Sequence, residues 1–107
     1  MAGIPQDIIK KFPISHHHEV SETFADTMGL TMFDGQNLRL EFSVARMGEP
    51  KPPAPPVGER HIVSRLVLTA NCAVDLINQM NQIAGQLVQF GFIKMEQGRA
   101  TPQGKLN

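Results

Sequence analysis

The only cysteine of the chain, Cys72, stands in the stretch "LTANCAVDL", close to the predicted start of a helix. A thiolate at such a place can act as a nucleophile if a neighbouring base or dipole stabilises its charge. The nearest histidine along the chain, His61, begins a predicted strand that ends at Leu68, roughly 23 Å of extended chain away. Cys72 also lies at the margin of an apolar helix face, where cysteine commonly acts as a small hydrophobe. We therefore interpret Cys72 as a space-filling residue, with a reactive thiol as the alternative.

Three consecutive histidines, His16, His17 and His18, are the second group that could do chemistry, since imidazoles bind transition metals. Neighbouring side chains of an extended chain point in alternate directions, so the pattern favours a solvated linker, and metal binding remains the alternative. A single acidic residue, Asp26, interrupts an apolar strand pattern. We expect Asp26 to pair with Arg46 or to occupy an edge position rather than to act as a general acid.

Composition and motifs exclude several classes of function. Ten basic residues balance ten acidic ones, and tryptophan and tyrosine are absent, so neither nucleic acid nor a membrane is an expected partner. The chain contains no phosphate-binding glycine loop, GxSxG, HExxH or paired CxxC. We predict no catalytic residue, no cofactor and no metal ligand. A lone cysteine and the lack of an 18-residue apolar run are typical of a cytoplasmic protein.

Period-two alternation predicts two strands near the N-terminus. Residues 23–32 place apolar side chains at even positions from Phe24 to Met32, and the second strand alternates Leu38, Leu40, Phe42 and Val44 with polar or small residues. Apolar residues face one another if Leu30 pairs with Leu40, which requires an odd-length loop around Gly35.

A third strand and a helix follow a loop that contains five prolines. The loop spans residues 48–60, the strand is "HIVSRLVL", and the helix begins after an N-cap at Thr69 and ends near Gly91. We divide the chain into an N-terminal arm, 1–22, which is a docking arm or a loose tail, a β-β-β-α domain, 23–93, and a disordered tail, 94–107. The predicted fold is α+β: a three-stranded antiparallel sheet followed by one long amphipathic helix packed on it and completed by oligomerisation.

The predicted helix has a wider apolar face than a single sheet needs. At 100° per residue the apolar side chains from Cys72 to Val88 cover roughly 160°, whereas one sheet needs about 100°. A strip of small and amide side chains borders this face. We predict that the strip contacts another subunit in a homodimer or a dimer of dimers, and its residues are Val74, Asn78, Asn81, Gly85 and Val88. The unpaired edges of a three-stranded sheet also favour association.

The stretches "LRLEF", "SRLVLT" and the immediate entry into a long helix resemble a family of small bacterial proteins known only as a domain of unknown function. The similarity covers roughly residues 22–93 and implies a strand-strand-strand-helix unit in a bacterial cytosol. It carries no functional residue. A sheet backed by a long helix is also similar in layout to export chaperones of the SecB type, which is an analogy of fold alone.

These observations favour a non-catalytic oligomeric binding or scaffold protein, with a chaperone-like protein as one form of it. Its expected partners are a second copy of the chain and another protein. The alternative is a small enzyme or metal-binding protein whose site lies at a subunit interface, formed by Cys72, Asp26 or a histidine.

Overall fold

The computed structural model describes residues 3–103 and confirms the α+β class. The elements in chain order are α1 (Gln6–Ile9), β1 (Thr27–Phe33), β2 (Asn37–Met47), β3 (Gly58–Thr69), α2 (Ala70–Gln89), β4 (Ile93–Glu96) and β5 (Arg99–Pro102). Two compact units result, the first ending at Thr69 and the second beginning at Ala70. This division falls inside the single domain predicted for residues 23–93.

The first unit contains a three-stranded antiparallel sheet in the order β1-β2-β3. Its central strand, β2, contains Leu40 and Val44, which the alternation predicted to share a face and which are the buried apolar residues among those described. Ser43 lies between them in the strand, is 1% exposed, and shares a hydroxyl hydrogen bond of 2.6 Å with Thr27 of β1. The core of this unit is therefore confined to the middle strand.

The β1-β2 hairpin follows the predicted register in only one half. Met28 pairs with Phe42 as predicted, but nearer the turn Thr31 pairs with Leu40 and Phe33 with Leu38, one residue out of step. Two residues, Gly35 and Gln36, connect the strands, since the Asp34 amide donates to the Asn37 carbonyl. Gly35 has φ +100°, which two-residue hairpin turns accommodate with glycine. The prediction of an odd-length loop, and with it the pairing of Leu30 with Leu40, is wrong.

An irregularity between Met28 and Thr31 reconciles the two registers. The amide of Leu30 donates a hydrogen bond of 3.2 Å to Glu41 Oε1, so a side chain satisfies a backbone group near the irregularity. A Cβ at Gly29 would lie 2.9 Å from the Glu41 Cβ, which explains why glycine stands there. The chain thus changes register at a glycine.

The β2-β3 pair is longer and begins at the end of the proline-rich loop. Gly48 donates a hydrogen bond of 2.7 Å to the Val57 carbonyl and closes this loop, and β3 starts at Gly58, three residues before the predicted strand. The register shifts by one residue at Val63, which lies between partners of Phe42 and Ser43. The shift places Ile62 opposite Ser43.

The second unit begins with α2, a helix of 20 residues whose end agrees with the prediction at Gly91. The Gly91 amide donates to the Val88 carbonyl and the Phe92 amide to the Leu87 carbonyl, while Gly91 has φ +85°. This pair of bonds is the Schellman motif, which satisfies carbonyl groups left open at a helix end.

A short hairpin occupies part of the segment that was predicted to be disordered. β4 and β5 pair antiparallel, and Gln97 and Gly98 connect them with φ values of 53° and 74°. Two successive positive φ values are typical of a type I′ turn. The prediction of a disordered tail from residue 94 is therefore wrong up to Pro102, and residues 104–107 lie outside the described part of the chain.

The N-terminal arm contains one short helix, α1, whose first turn bonds to the Pro5 carbonyl. Its apolar side chains, including Ile8 and Phe12, are exposed. Among the described residues, no helix is both long and apolar enough to span a membrane.

Candidate functional site

Several large apolar side chains on one face of α2 are exposed. Ile77 is 55% exposed, Met80 50% and Ile83 41%, and the helix contains no buried residue. Along the middle of the same face four side chains are half-buried: Ala73, Leu76, Ala84 and Leu87. Exposed side chains of this size are ordinary singly, but a contiguous stripe of them marks an interaction surface.

The five residues predicted to form an interface are all exposed along α2. A Cβ placed at Gly85 would meet no atom within 4 Å. Close packing within the described chain therefore does not explain this glycine. Its presence is unfavourable for the helix by about 1 kcal/mol relative to alanine. Contact of the strip with another subunit stays a prediction.

The electrostatic character of α2 is unusual for a surface helix. Asp75 is the only charged residue between Ala70 and Gln89, the first turn has no acidic residue and the last turn has no basic one. Solvated helices generally carry pairs of opposite charge at such positions. Depletion of charge is typical of the cores of protein interfaces.

Cys72, the first candidate for chemistry, is exposed near the start of α2. The prediction that Cys72 fills space at the margin of an apolar helix face stays a prediction.

The remaining polar candidates from the sequence are dispersed. His16, His17 and His18 are exposed, and His17 Nδ1 lies 3.4 Å from Glu19 Oε1. Within residues 3–103 no group of three potential ligands is arranged to hold a metal ion. The structure thus does not bring the three histidines together with further ligands.

Asp26 has a different partner from the one predicted. Its Oδ1 accepts a hydrogen bond of 3.0 Å from the Ala45 amide, and its own amide donates to the Ser43 carbonyl. Arg46, two positions beyond the buried Val44, is not among its contacts in the described chain. The prediction of an Asp26–Arg46 pair is wrong because the carboxylate extends the strand ladder past the first residue of β1.

Two acidic side chains that the sequence analysis did not single out support the hairpin. Asp34 Oδ1 accepts bonds from the amides of Gln36 and Asn37, and Oδ2 lies 2.7 Å from Arg39 Nε. These bonds, the one from the Asn37 amide first, lower the pKa of Asp34 to about 2. The sequence signal for this contact was "DGQN", with an arginine five positions after the aspartate. An aspartate side chain at the start of a turn commonly accepts hydrogen bonds from backbone amides that follow it.

Glu41 forms the second polar contact, on the sheet. Its Oε2 lies 2.9 Å from Arg65 Nε of β3, and its Oε1 accepts the Leu30 amide of β1. The bond from Arg65, followed by that from Leu30, lowers the pKa of Glu41. Glu41 thereby connects all three strands, which is a structural role.

A shallow cleft lies where the proline-rich loop leaves the sheet. Met47, Gly48, Val57 and His61 are among its lining residues, and His61 Nε2 lies 3.3 Å from Glu59 Oε1. Both side chains of this pair are more than half exposed, so solvent weakens their interaction. The cleft is therefore a poorer candidate than the apolar face of α2.

Comparison of the chain with protein-family models, with curated proteins and with solved structures finds no match.

Proposed function

We propose that the protein is a non-catalytic binding or scaffold protein whose structural unit is completed by self-association into a homodimer or a dimer of dimers. The observation that carries the proposal is that few apolar residues are buried. Leu40 and Val44 are the only buried apolar residues among those described, whereas large apolar side chains on α1, on the strands and on α2 are exposed. A chain of 107 residues is small, and burial of apolar surface is the main favourable term in folding.

The uncharged face of α2 supports self-association in particular. Two copies meeting through this helix would bring together apolar and amide side chains, with no like-charge pair other than the two Asp75 carboxylates. We propose that the strip containing Asn81 and Gly85 forms one contact between subunits. Exposed apolar residues of the N-terminal arm, such as Phe12 and Ile14, would remain available to another protein.

The family resemblance and the cytoplasmic setting belong to the same proposal. The single cysteine supports a reducing compartment, and the order of three strands followed by a long helix supports the resemblance. A chaperone-like activity is the form of binding that an open apolar surface would serve.

The test is the dependence of mass and of thermal stability on protein concentration. Light scattering should give the mass of two or four chains, and the melting temperature should rise with concentration because association stabilises only the folded state. A chain that stays monomeric, with a cooperative melt independent of concentration, contradicts the proposal. Suppression of the aggregation of an unfolded model protein would distinguish a chaperone-like protein from a scaffold.

A further inference from the structure

The turn between β1 and β2 places an aspartate directly before a glycine, a pair that is prone to isomerisation of the backbone. Asp34 is the only one of the four aspartates of the chain that is followed by glycine, and no asparagine is followed by glycine. Because glycine has no Cβ, its amide nitrogen is less hindered than that of any other residue. The other three aspartates precede isoleucine, threonine and leucine, whose side chains crowd the amide.

The isomerisation needs no reactant other than water. The Gly35 amide nitrogen attacks Cγ of the neutral Asp34 carboxyl group, and the new N–Cγ bond forms as the carboxyl hydroxyl and the amide hydrogen leave together as water. The resulting succinimide ring then takes up water at one of its two carbonyl carbons. Opening at the first carbon restores aspartate, whereas opening at the other leaves the main chain running through Cβ and Cγ, which is isoaspartate.

We propose that Asp34–Gly35 is a site of isoaspartate formation, and that the contacts of the Asp34 carboxylate in the turn, including the one with Arg39, suppress this reaction in the folded protein. The inference concerns the sheet alone and does not rest on the proposed self-association. It gives the turn contacts a chemical role in addition to their role in holding the hairpin.

Both oxygens of the Asp34 carboxylate are held by donors. Oδ1 accepts hydrogen bonds of 3.0 Å from the Gln36 amide and 2.8 Å from the Asn37 amide, and Oδ2 lies 2.7 Å from Arg39 Nε. Three donors, one of them a guanidinium, favour the charged form of a carboxyl group. The charged form is a poor electrophile and has no hydroxyl to release as water. The contacts therefore oppose the first step of the isomerisation.

The lowered pKa of Asp34 gives a scale for this protection. The bond from the Asn37 amide, followed by the one from Arg39, lowers the pKa from 3.8 to about 2. At a mildly acidic pH above both values, the neutral fraction of a carboxyl group falls about tenfold for each unit by which its pKa falls. The folded protein should therefore form the succinimide more than about tenfold more slowly than the unfolded chain, in which these contacts are absent.

The geometry of the turn explains why this reactive pair is present. Gly35 has φ +100°, which residues with a Cβ rarely adopt. Asp34 supplies the acceptor for the amides of Gln36 and Asn37. Each of the two residues suits its own position in the turn, and their adjacency produces the reactive pair.

Isoaspartate at position 34 would disrupt the hairpin. The main chain would gain one carbon atom, and the carboxylate oxygens that accept the two amides would be displaced. The Asp34 amide closes the turn with a hydrogen bond of 3.1 Å to the Asn37 carbonyl, next to the pairing of Phe33 with Leu38. Because the register of a hairpin follows from the length of its loop, the longer main chain would disturb this pairing.

The first test compares folded and unfolded wild-type protein and depends on no variant. The chain is incubated at mildly acidic pH and physiological temperature with and without urea, and isoaspartate is measured by peptide mapping and by enzymatic methylation of isoaspartyl groups. The peptide containing Asp34 should accumulate isoaspartate at least about tenfold faster in urea. A smaller ratio overturns the protection, and an absence of isoaspartate at Asp34 in urea overturns the site.

Arg39→Gln tests the contribution of the guanidinium. This variant should form isoaspartate at Asp34 several-fold faster than folded wild type, with its fold retained by circular dichroism. Arg65→Gln is the matched control, because Arg65 Nε makes a similar contact of 2.9 Å with a carboxylate of the same sheet, that of Glu41. It should react at the wild-type rate. Equal acceleration by both variants would indicate general loosening of the sheet, and this outcome or a wild-type rate in Arg39→Gln overturns the role of Arg39.

Discussion

Replacement of Gly85 by leucine has opposite expected effects in a single chain and in an assembly. A Cβ at this position meets no atom within 4 Å of the described chain, so leucine would fit there without a clash. Its higher helix propensity would stabilise α2 by somewhat less than about 1 kcal/mol. If Gly85 instead lets a second helix approach, the added side chain overpacks the contact at a cost of about 1–3 kcal/mol for each site.

We expect Gly85→Leu to weaken the assembly, because the strip that we propose as a subunit contact includes Gly85. The melting temperature of Gly85→Leu should fall below that of wild type at high concentration, and light scattering should show dissociation at concentrations where wild type is associated. Thermal melts over a roughly 100-fold range of concentration provide the measurement.

Gln82→Leu is the matched control for this experiment. It adds the same side chain to the polar face of α2, about 60° from Gly85 and outside the strip. Its assembly should be that of wild type. A Gly85→Leu protein that melts above wild type at every concentration, with unchanged mass, would refute the assignment of the strip to a subunit contact.

Four further predictions concern the sheet, the proline-rich loop and the cysteine. Because the pKa of Asp34 is lowered to about 2, the contacts of its carboxylate in the turn stabilise the hairpin fully above the ordinary pKa of 3.8, and this stabilisation is lost as the pH falls through about 2. Asp34→Asn should abolish this part of the pH dependence of stability in unfolding titrations between about pH 5 and pH 2. Leu40→Ala should cost about 2–4 kcal/mol in chemical unfolding, since Leu40 is 8% exposed, and a loss below about 1 kcal/mol would show that the core lies elsewhere. Deletion of residues 52–56 should leave the melting temperature within a few degrees of wild type, because loop closure depends weakly on length; unfolding of the deletion variant would mean that these prolines pack against the protein. Cys72→Ser should retain the wild-type mass and stability, since Cys72 is exposed, and loss of assembly in a folded variant would contradict this.

Local periodicity predicted the elements that repeat long enough to define a face. The alternation from Leu38 to Val44 identified β2, and the 3.6-residue period together with Gly91 located the body and end of α2. Both signals arise within one element, because the direction of each side chain follows directly from backbone geometry. The candidate surface on α2 could be predicted for the same reason.

The short C-terminal hairpin escaped prediction because its strands have only four residues each. The stretch "EQGR" is a weak turn signal, because only one of its two central residues is a glycine. In the structure both central residues, Gln97 and Gly98, have positive φ values, as a two-residue hairpin turn requires. Four residues give too few alternations to distinguish a strand from an irregular segment.

The register of β1 and the partner of Asp26 depended on tertiary structure. Matching apolar faces favoured Leu30 opposite Leu40, but the Asp34 carboxylate stabilises a two-residue turn and Glu41 accepts the Leu30 amide near the resulting irregularity. Unsatisfied backbone groups cost more than a mismatch of exposed side chains, so hydrogen bonding decided the register. The amino-acid sequence alone thus determined which segments form the longer strands and the long helix, whereas the pairing of individual residues was decided by which side chains could reach the backbone groups that these segments leave open.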